Sequence, residues 1–284
     1  MINLHTPNNI YPLAQWRIIK TPPAPGAWNM AVDEAILEAA GHREVLPTLR
    51  LFAWEPPCLS LGYAQPVTDV DRHNLVKHGW DLVRRPTGGR AILHTDELTY
   101  SVVGRSDEPR LVGGVLESYR RLAQALLEAL HRLDLPTEAN LEVPATAHNT
   151  TPGPVCFEIP STYEITVYKR KLIGSAQARR KEGVLQHGSL PLKGDLARIT
   201  QVLSFSSEGN RQQAAERLHG RAGTVQEFLG SPVSWETAAE AFQGAFAQVL
   251  NLDLLPCELT SAELARAAEL VRDKYNHPSW TERI

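Results

Sequence analysis

Cysteine is scarce in this sequence. Cys58, Cys156 and Cys257 are widely spaced, odd in number and form no CxxC pair. That pattern argues against a disulfide framework and against a zinc site, which makes a reducing cytoplasm the default compartment. Long apolar runs are also missing. None approaches the roughly 20 residues that span a bilayer, so no membrane-crossing helix is expected. Residues 1–11 are polar and lack the basic region and apolar stretch of a secretory signal. Neither sign of charge dominates. With a formal net charge of -3 and a sequence pI of about 6.4, nothing in the balance points to nucleic acid or a membrane surface. There is no internal repeat, no GxGxxG and no Walker-type loop, so neither dinucleotide nor P-loop nucleotide binding is suggested.

What is present is ordinary in bulk and specific in detail. Hydrophobic residues at 43% and charged residues at 21% match a soluble globular chain, and 284 residues fit one large domain. Residues 27–40 read as a helix introduced by Pro25-Gly26. Short β-type runs follow at 49–54, 58–61, 81–84 and 98–103, the last two flanking a Gly-Gly loop. Residues 112–133 carry Leu116, Tyr119, Leu122, Leu126 and Leu130 at helical spacing. Residues 142–154, rich in Pro, Thr, Ala and Asn, read as a mobile loop. Strand candidates at 163–168, 171–177 and 184–190 come next, then helical patterns at 236–250 and 261–275. The expected class is α+β, a mixed β-sheet flanked by helices. It forms one catalytic domain over residues 1–284, with a helical extension packed on it from about residue 235.

Cys156 lies just past the loop, in Pro154-Val155-Cys156-Phe157. A free cysteine is most often a small buried hydrophobe. Access at a loop boundary and a neighbouring cation would instead make it a nucleophile. Lys171 is the candidate cation, since residues 163–177 read as a hairpin that returns towards Cys156. The competing reading is a solvated charge, because Lys169, Arg170 and Lys171 cluster at the turn, and that turn lacks the expected Gly or Asn. Small residues at Gly174, Ser175 and Ala176 let a ligand or backbone come close. Gly88 and Gly89, inside the run from Arg84 to His94 with Arg85, Thr87 and Arg90, allow backbone conformations that expose N–H groups to a substrate. The same pair is also an ordinary hairpin signal. His94 and His187 are each candidate bases and, more commonly, structural histidines. Cys58, within an apolar strand, reads as core.

Together these segments resemble the lipoate–protein ligase and octanoyltransferase superfamily, which shares its fold with biotin–protein ligases. Among its members, the LipM-type octanoyltransferases match best. The matching stretches are 26–35, 54–65, 84–94, 97–102, Cys156-Phe157 through Pro160-Ser161, 171–177 and 185–189, in family order. The resemblance implies an acyl tunnel beside the Gly-rich loop, with apolar walls expected from Leu59, Leu61 and Ile92. It implies Cys156 as the acyl-thioester nucleophile and Lys171 as the lysine that favours its thiolate. It also implies that Arg85, Thr87, Gly88, Gly89, Arg90, His94, Gly174, Ser175 and Ala176 contact substrate. The donor would be octanoyl on the phosphopantetheine of acyl carrier protein. The acceptor would be a lysine of a lipoyl-carrier protein, either glycine cleavage H protein or a dehydrogenase E2 lipoyl domain. No cofactor, metal, nucleic acid or membrane is implied. Arg90 stands where ATP-using ligases show a third glycine, and Thr95 stands where they show an aspartate after the histidine. Three alternatives stay open: an ATP-dependent ligase, an amidotransferase between carrier proteins, and a non-catalytic acyl-binding module.

Overall fold

The computed structural model describes residues 10–140 and 164–284. Its strands are β1 (Ala14–Lys20), β2 (Thr48–Phe52), β3 (Cys58–Leu61), β4 (Asp81–Arg84), β5 (Ile92–His94), β6 (Glu97–Gly104), β7 (Thr137–Asn140), β8 (Glu164–Val167), β9 (Arg170–Arg179), β10 (Val184–Pro191) and β11 (Leu252–Pro256). The helices are α1 (Gly26–Gly41), α2 (Arg72–Lys77), α3 (Val115–His131), α4 (Glu208–Arg221), α5 (Val225–Leu229), α6 (Trp235–Val249), α7 (Ser261–Leu270) and α8 (Pro278–Thr281). A large mixed sheet runs in the order β11-β1-β2-β6-β10-β9-β8-β7, and a small one in the order β4-β3-β5. The expected mixed sheet flanked by helices is therefore what forms.

The central strands carry two different faces. In β6, Leu98, Tyr100 and Val102 point to one side, where they pack with Leu122, Leu126 and Leu130 of α3 and Phe242 and Phe246 of α6. Each such side chain contributes roughly 1.5–3 kcal/mol by leaving water. The alternate residues Glu97, Thr99 and Ser101 are also buried, but they are polar. Arg50 on β2 and His187 and Ser189 on β10 share that second side. This polar surface is covered in part by α1, whose alanines (Ala27, Ala31, Ala35, Ala39 and Ala40) favour helix and permit close approach. Most of α1 is buried, between the sheet and α7.

The C-terminal stretch is not wholly helical as expected. β11 interrupts it and pairs in parallel with β1, Ala14 opposite Leu252, extending the large sheet. α7 then lies on α1 and is held by the buried Arg17–Glu263 ion pair at 2.6 Å. α4 was not anticipated, and its composition explains why: only Ala214 and Leu218 are buried, so no apolar period marks it. The hairpin between β8 and β9 turns at Tyr168 and Lys169, with φ of 49° and 63°. Two positive φ values between Val167 and Arg170, which face each other in register, define a type I′ turn made without glycine.

Candidate functional site

Between the small sheet and the polar side of the large one lies a cavity. Its walls are Met30 of α1, Trp54, Ser60 of β3, Arg85 and Gly89 of the Gly-rich loop, and Ile92 and His94 of β5. Thr99 of β6, Gly174 to Ala176 of β9 and His187 to Ser189 of β10 complete it. The small residues of β9 and β10 leave the space open. Gly188 is kept small by its neighbours on the Tyr100 side of β10: a Cβ there would stand 2.5 Å from the Gly174 carbonyl and 2.6 Å from Ser175 Oγ.

The Gly-rich loop is folded around one guanidinium. Arg85 Nη2 donates to the carbonyls of Gly88 (2.9 Å) and Arg90 (2.8 Å), while Nη1 donates to the Ser60 carbonyl (3.0 Å) and Oγ (3.1 Å). Arg84, fully buried, donates to the carbonyls of Gly62, Gln65 and Thr281, tying the chain's C-terminal region to the same loop. Gly62 has to be glycine because a Cβ there would lie 1.9 Å from the Gly89 carbonyl.

Two histidines line the cavity, each set between a carboxylate and a hydroxyl. His94 Nδ1 is 2.7 Å from Glu97 Oε1, and its Nε2 is 2.8 Å from Ser60 Oγ. Trp54 stacks on the His94 ring, centroids 4.0 Å apart and 9° from parallel, and donates its Nε1–H to Thr99. Burial by itself would raise the Glu97 carboxyl. His94, Thr99 and Ser189 outweigh it and hold the group below its ordinary value. The second histidine, His187, is 2.7 Å from Thr87 Oγ1 through Nε2 and 3.5 Å from Asp33 Oδ2 through Nδ1. Burial pushes His187 down, against the pull of Asp33, which keeps the imidazole neutral near pH 7. Burial would raise Asp33, but His187 and the Arg50 guanidinium, 2.8 Å away, hold it low and ionised.

Of the residues singled out from sequence, Arg85, Gly89, His94, Gly174, Ser175 and Ala176 meet at this cavity. Thr87 is buried just behind it, on His187. Gly88 and Arg90 serve the loop through their carbonyls on Arg85. Lys171 is only 4% exposed, so it is not the solvated charge its neighbours suggested. It stands on β9 three residues before Gly174 and is not among the lining residues. Cys156 and the loop 142–154 lie outside the described residues. Leu59 and Leu61 do not line the cavity. β3 alternates, so Ser60 faces the site while both leucines pack behind it on Val70, Leu75 and Val202. Cys58 is fully buried, and burial, then Asp81 and Glu97, push its thiol well up, which leaves it inert. Sequence reasoning missed Ser60, Glu97 and Asp33 as site residues. The signal for Glu97 was its position three residues after His94, across the short turn at Thr95 and Asp96. Among the described residues no cluster of His, Cys, Asp or Glu could hold a metal, and no helix is long and apolar enough to cross a membrane.

The sequence profile of the lipoyl protein ligase A/B catalytic domain matches residues 25–247, which include the whole cavity. The chain belongs to that family. Octanoyltransferase LipM of Brevibacillus brevis is 39% identical over 275 residues, 95% of this chain and 100% of that protein. The protein of the same name from Moorella thermoacetica is 41% identical over 274 residues, 96% and 99% of the two chains. Among solved structures, a bipartite lipoate protein ligase from the archaeon Thermoplasma acidophilum superposes with a TM-score of 0.76 at 27% identity. That match covers 94% of this chain and 96% of the other. The expected kinship with LipM-type octanoyltransferases is borne out, and this family member is an acyltransferase.

Proposed function

We propose that the protein moves an octanoyl group from acyl carrier protein to a lysine of a lipoyl-carrier protein, by way of a thioester on Cys156. The observation that carries this reading is the full-length similarity to proteins named octanoyltransferase LipM. The cavity supports it: Met30, Trp54 and Ile92 offer an apolar wall, while the Gly-rich loop and Gly174 to Ala176 let a chain lie against the backbone. Each methylene buried there is worth roughly 0.8 kcal/mol, enough to sort acyl lengths.

In this scheme the Cys156 thiolate, favoured by the Lys171 cation, attacks the carrier thioester and releases the phosphopantetheine thiol. A lysine amine of a lipoyl-carrier protein, an E2 lipoyl domain or H protein, then takes the octanoyl group as an amide. Thioester to amide runs downhill, so ATP has no part. The test mixes the pure protein with octanoyl-carrier protein and an apo lipoyl domain, without ATP, and follows the acceptor by mass. Octanoylation that needs the carrier thioester and is lost in Cys156→Ala supports the reading. Modification that requires ATP and a free acid, and persists in Cys156→Ala, replaces it with a ligase.

A further inference from the structure

The acceptor amine must give up a proton for the amide to form, and the cavity contains a group built to take it. We propose that Ser60, His94 and Glu97 form the proton relay that deprotonates the acceptor lysine. This rests on the function proposed above and adds to it the residues of its second half-reaction.

The geometry is that of a hydroxyl, an imidazole and a carboxylate in series. Glu97 Oε1 accepts from His94 Nδ1 at 2.7 Å and also from Ser189 Oγ at 2.8 Å. A carboxylate so placed fixes the proton on Nδ1 and leaves the Nε2 lone pair for Ser60 Oγ, 2.8 Å away. Arg85 Nη1 donates to the same Oγ at 3.1 Å, so the Ser60 proton points to His94. Ser60 and His94 both line the cavity, and the Trp54 ring holds the imidazole plane from one side. A structural role alone does not need this order of donors. β3 has to present a hydroxyl to the cavity between two leucines that both face the core.

The amine nitrogen attacks the thioester carbonyl; a C–N bond forms and the π electrons move to oxygen. The nitrogen's surplus proton passes to Ser60 Oγ as the Ser60 proton passes to His94 Nε2. The oxyanion collapses, the C–S bond breaks and sulfur leaves as thiolate. The imidazolium, steadied by ionised Glu97, returns its proton to solvent before the next cycle. Ser60 meets the amine and His94 takes its proton through Ser60; Glu97 is a positioning residue.

The experiment separates the half-reactions by rapid quench and mass. Acylation is followed with octanoyl-carrier protein alone, and transfer with preloaded enzyme and an apo lipoyl domain. His94→Gln and Ser60→Ala are expected to slow transfer about 10²–10⁴-fold more than they slow acylation. His94→Gly should regain transfer with added imidazole, which can stack on Trp54, and Glu97→Asp should keep more transfer than Glu97→Gln. Wild-type transfer in Ser60→Ala, a substitution that removes one oxygen and no core contact, overturns the relay, as does equal slowing of both halves without imidazole rescue. If wild type forms no adduct, the covalent reading fails instead. The same variants then decide the relay through the overall octanoylation rate, unchanged in His94→Gln if the relay is wrong.

Discussion

The Asp33–Arg50 pair offers a quantitative test of how the polar side of the sheet is held. Both side chains are fully buried and 2.8 Å apart. Asp33 also accepts from Ser101 Oγ at 2.9 Å, while Arg50 donates to Asn29 Oδ1 and Thr21 Oγ1 and lies over the Phe52 ring. Asp33→Asn keeps the shape and most of the hydrogen bonding but removes the countercharge. Stranding a buried charge costs about 3–5 kcal/mol. The remaining acceptors of Arg50 place the expected cost near the lower end. At about 2.1 cal/mol/K of unfolding entropy per residue, 3–5 kcal/mol lowers the Tm of a chain this long by about 5–8 °C. Removing the arginine as well, in Asp33→Asn with Arg50→Met, leaves no stranded charge. The double variant should therefore be at least about 2 kcal/mol more stable than the sum of the single losses implies. Urea unfolding of the four proteins, followed by circular dichroism, gives the cycle. A cost below about 1 kcal/mol for Asp33→Asn, or strict additivity, would refute the reasoning.

Further predictions concern pH, the hairpin and the cavity. Because burial depresses His187 below its ordinary 6.5, the unfolded chain takes up that proton first, so stability is full above pH 6.5 and declines below it. Asp33, Glu97 and Glu263, all held low, add a second loss as pH falls through the acid range. A Tm profile should show both phases, with only the acid one left in His187→Gln; a flat profile from pH 7 to 5 contradicts this. Lys169→Gly relieves a left-handed residue in the β8–β9 turn and should stabilise by about 1 kcal/mol, and a Tm that falls would show the turn is not strained. Gly188→Ala pushes a methyl to within 2.5–2.8 Å of Gly174, Ser175 and Tyr100, on the Tyr100 side of β10, so it should cost about 1–3 kcal/mol. An unchanged Tm would contradict this.

Local signals read well from sequence because each rests on neighbours along the chain. The leucine period of α3, the Gly-Gly loop and the β8–β9 hairpin formed within a few residues of their expected limits. Six of the expected contact residues met at one cavity. What failed depended on which way a strand faces. Leu59 and Leu61 look like tunnel walls by hydrophobicity, yet β3 turns them to the core cluster with Val70 and Leu75. Likewise Glu97, Thr99 and Ser101 read as part of an ordinary strand until the sheet order sets them beside His94, His187 and Asp33. β11 was missed because its partner, β1, lies more than 200 residues away in sequence. The charge cluster at 169–171 was split by geometry: Arg170 pairs with Glu227 at 2.7 Å, whereas Lys171 is buried.

The covalent relay is tested most directly by weighing the intact protein after it meets octanoyl-carrier protein, with wild type and Cys156→Ser side by side. The account predicts one added octanoyl group on wild type, removed by hydroxylamine, and none on Cys156→Ser. An adduct of the same mass on Cys156→Ser that neutral hydroxylamine still removes would place the thioester on another cysteine and contradict it.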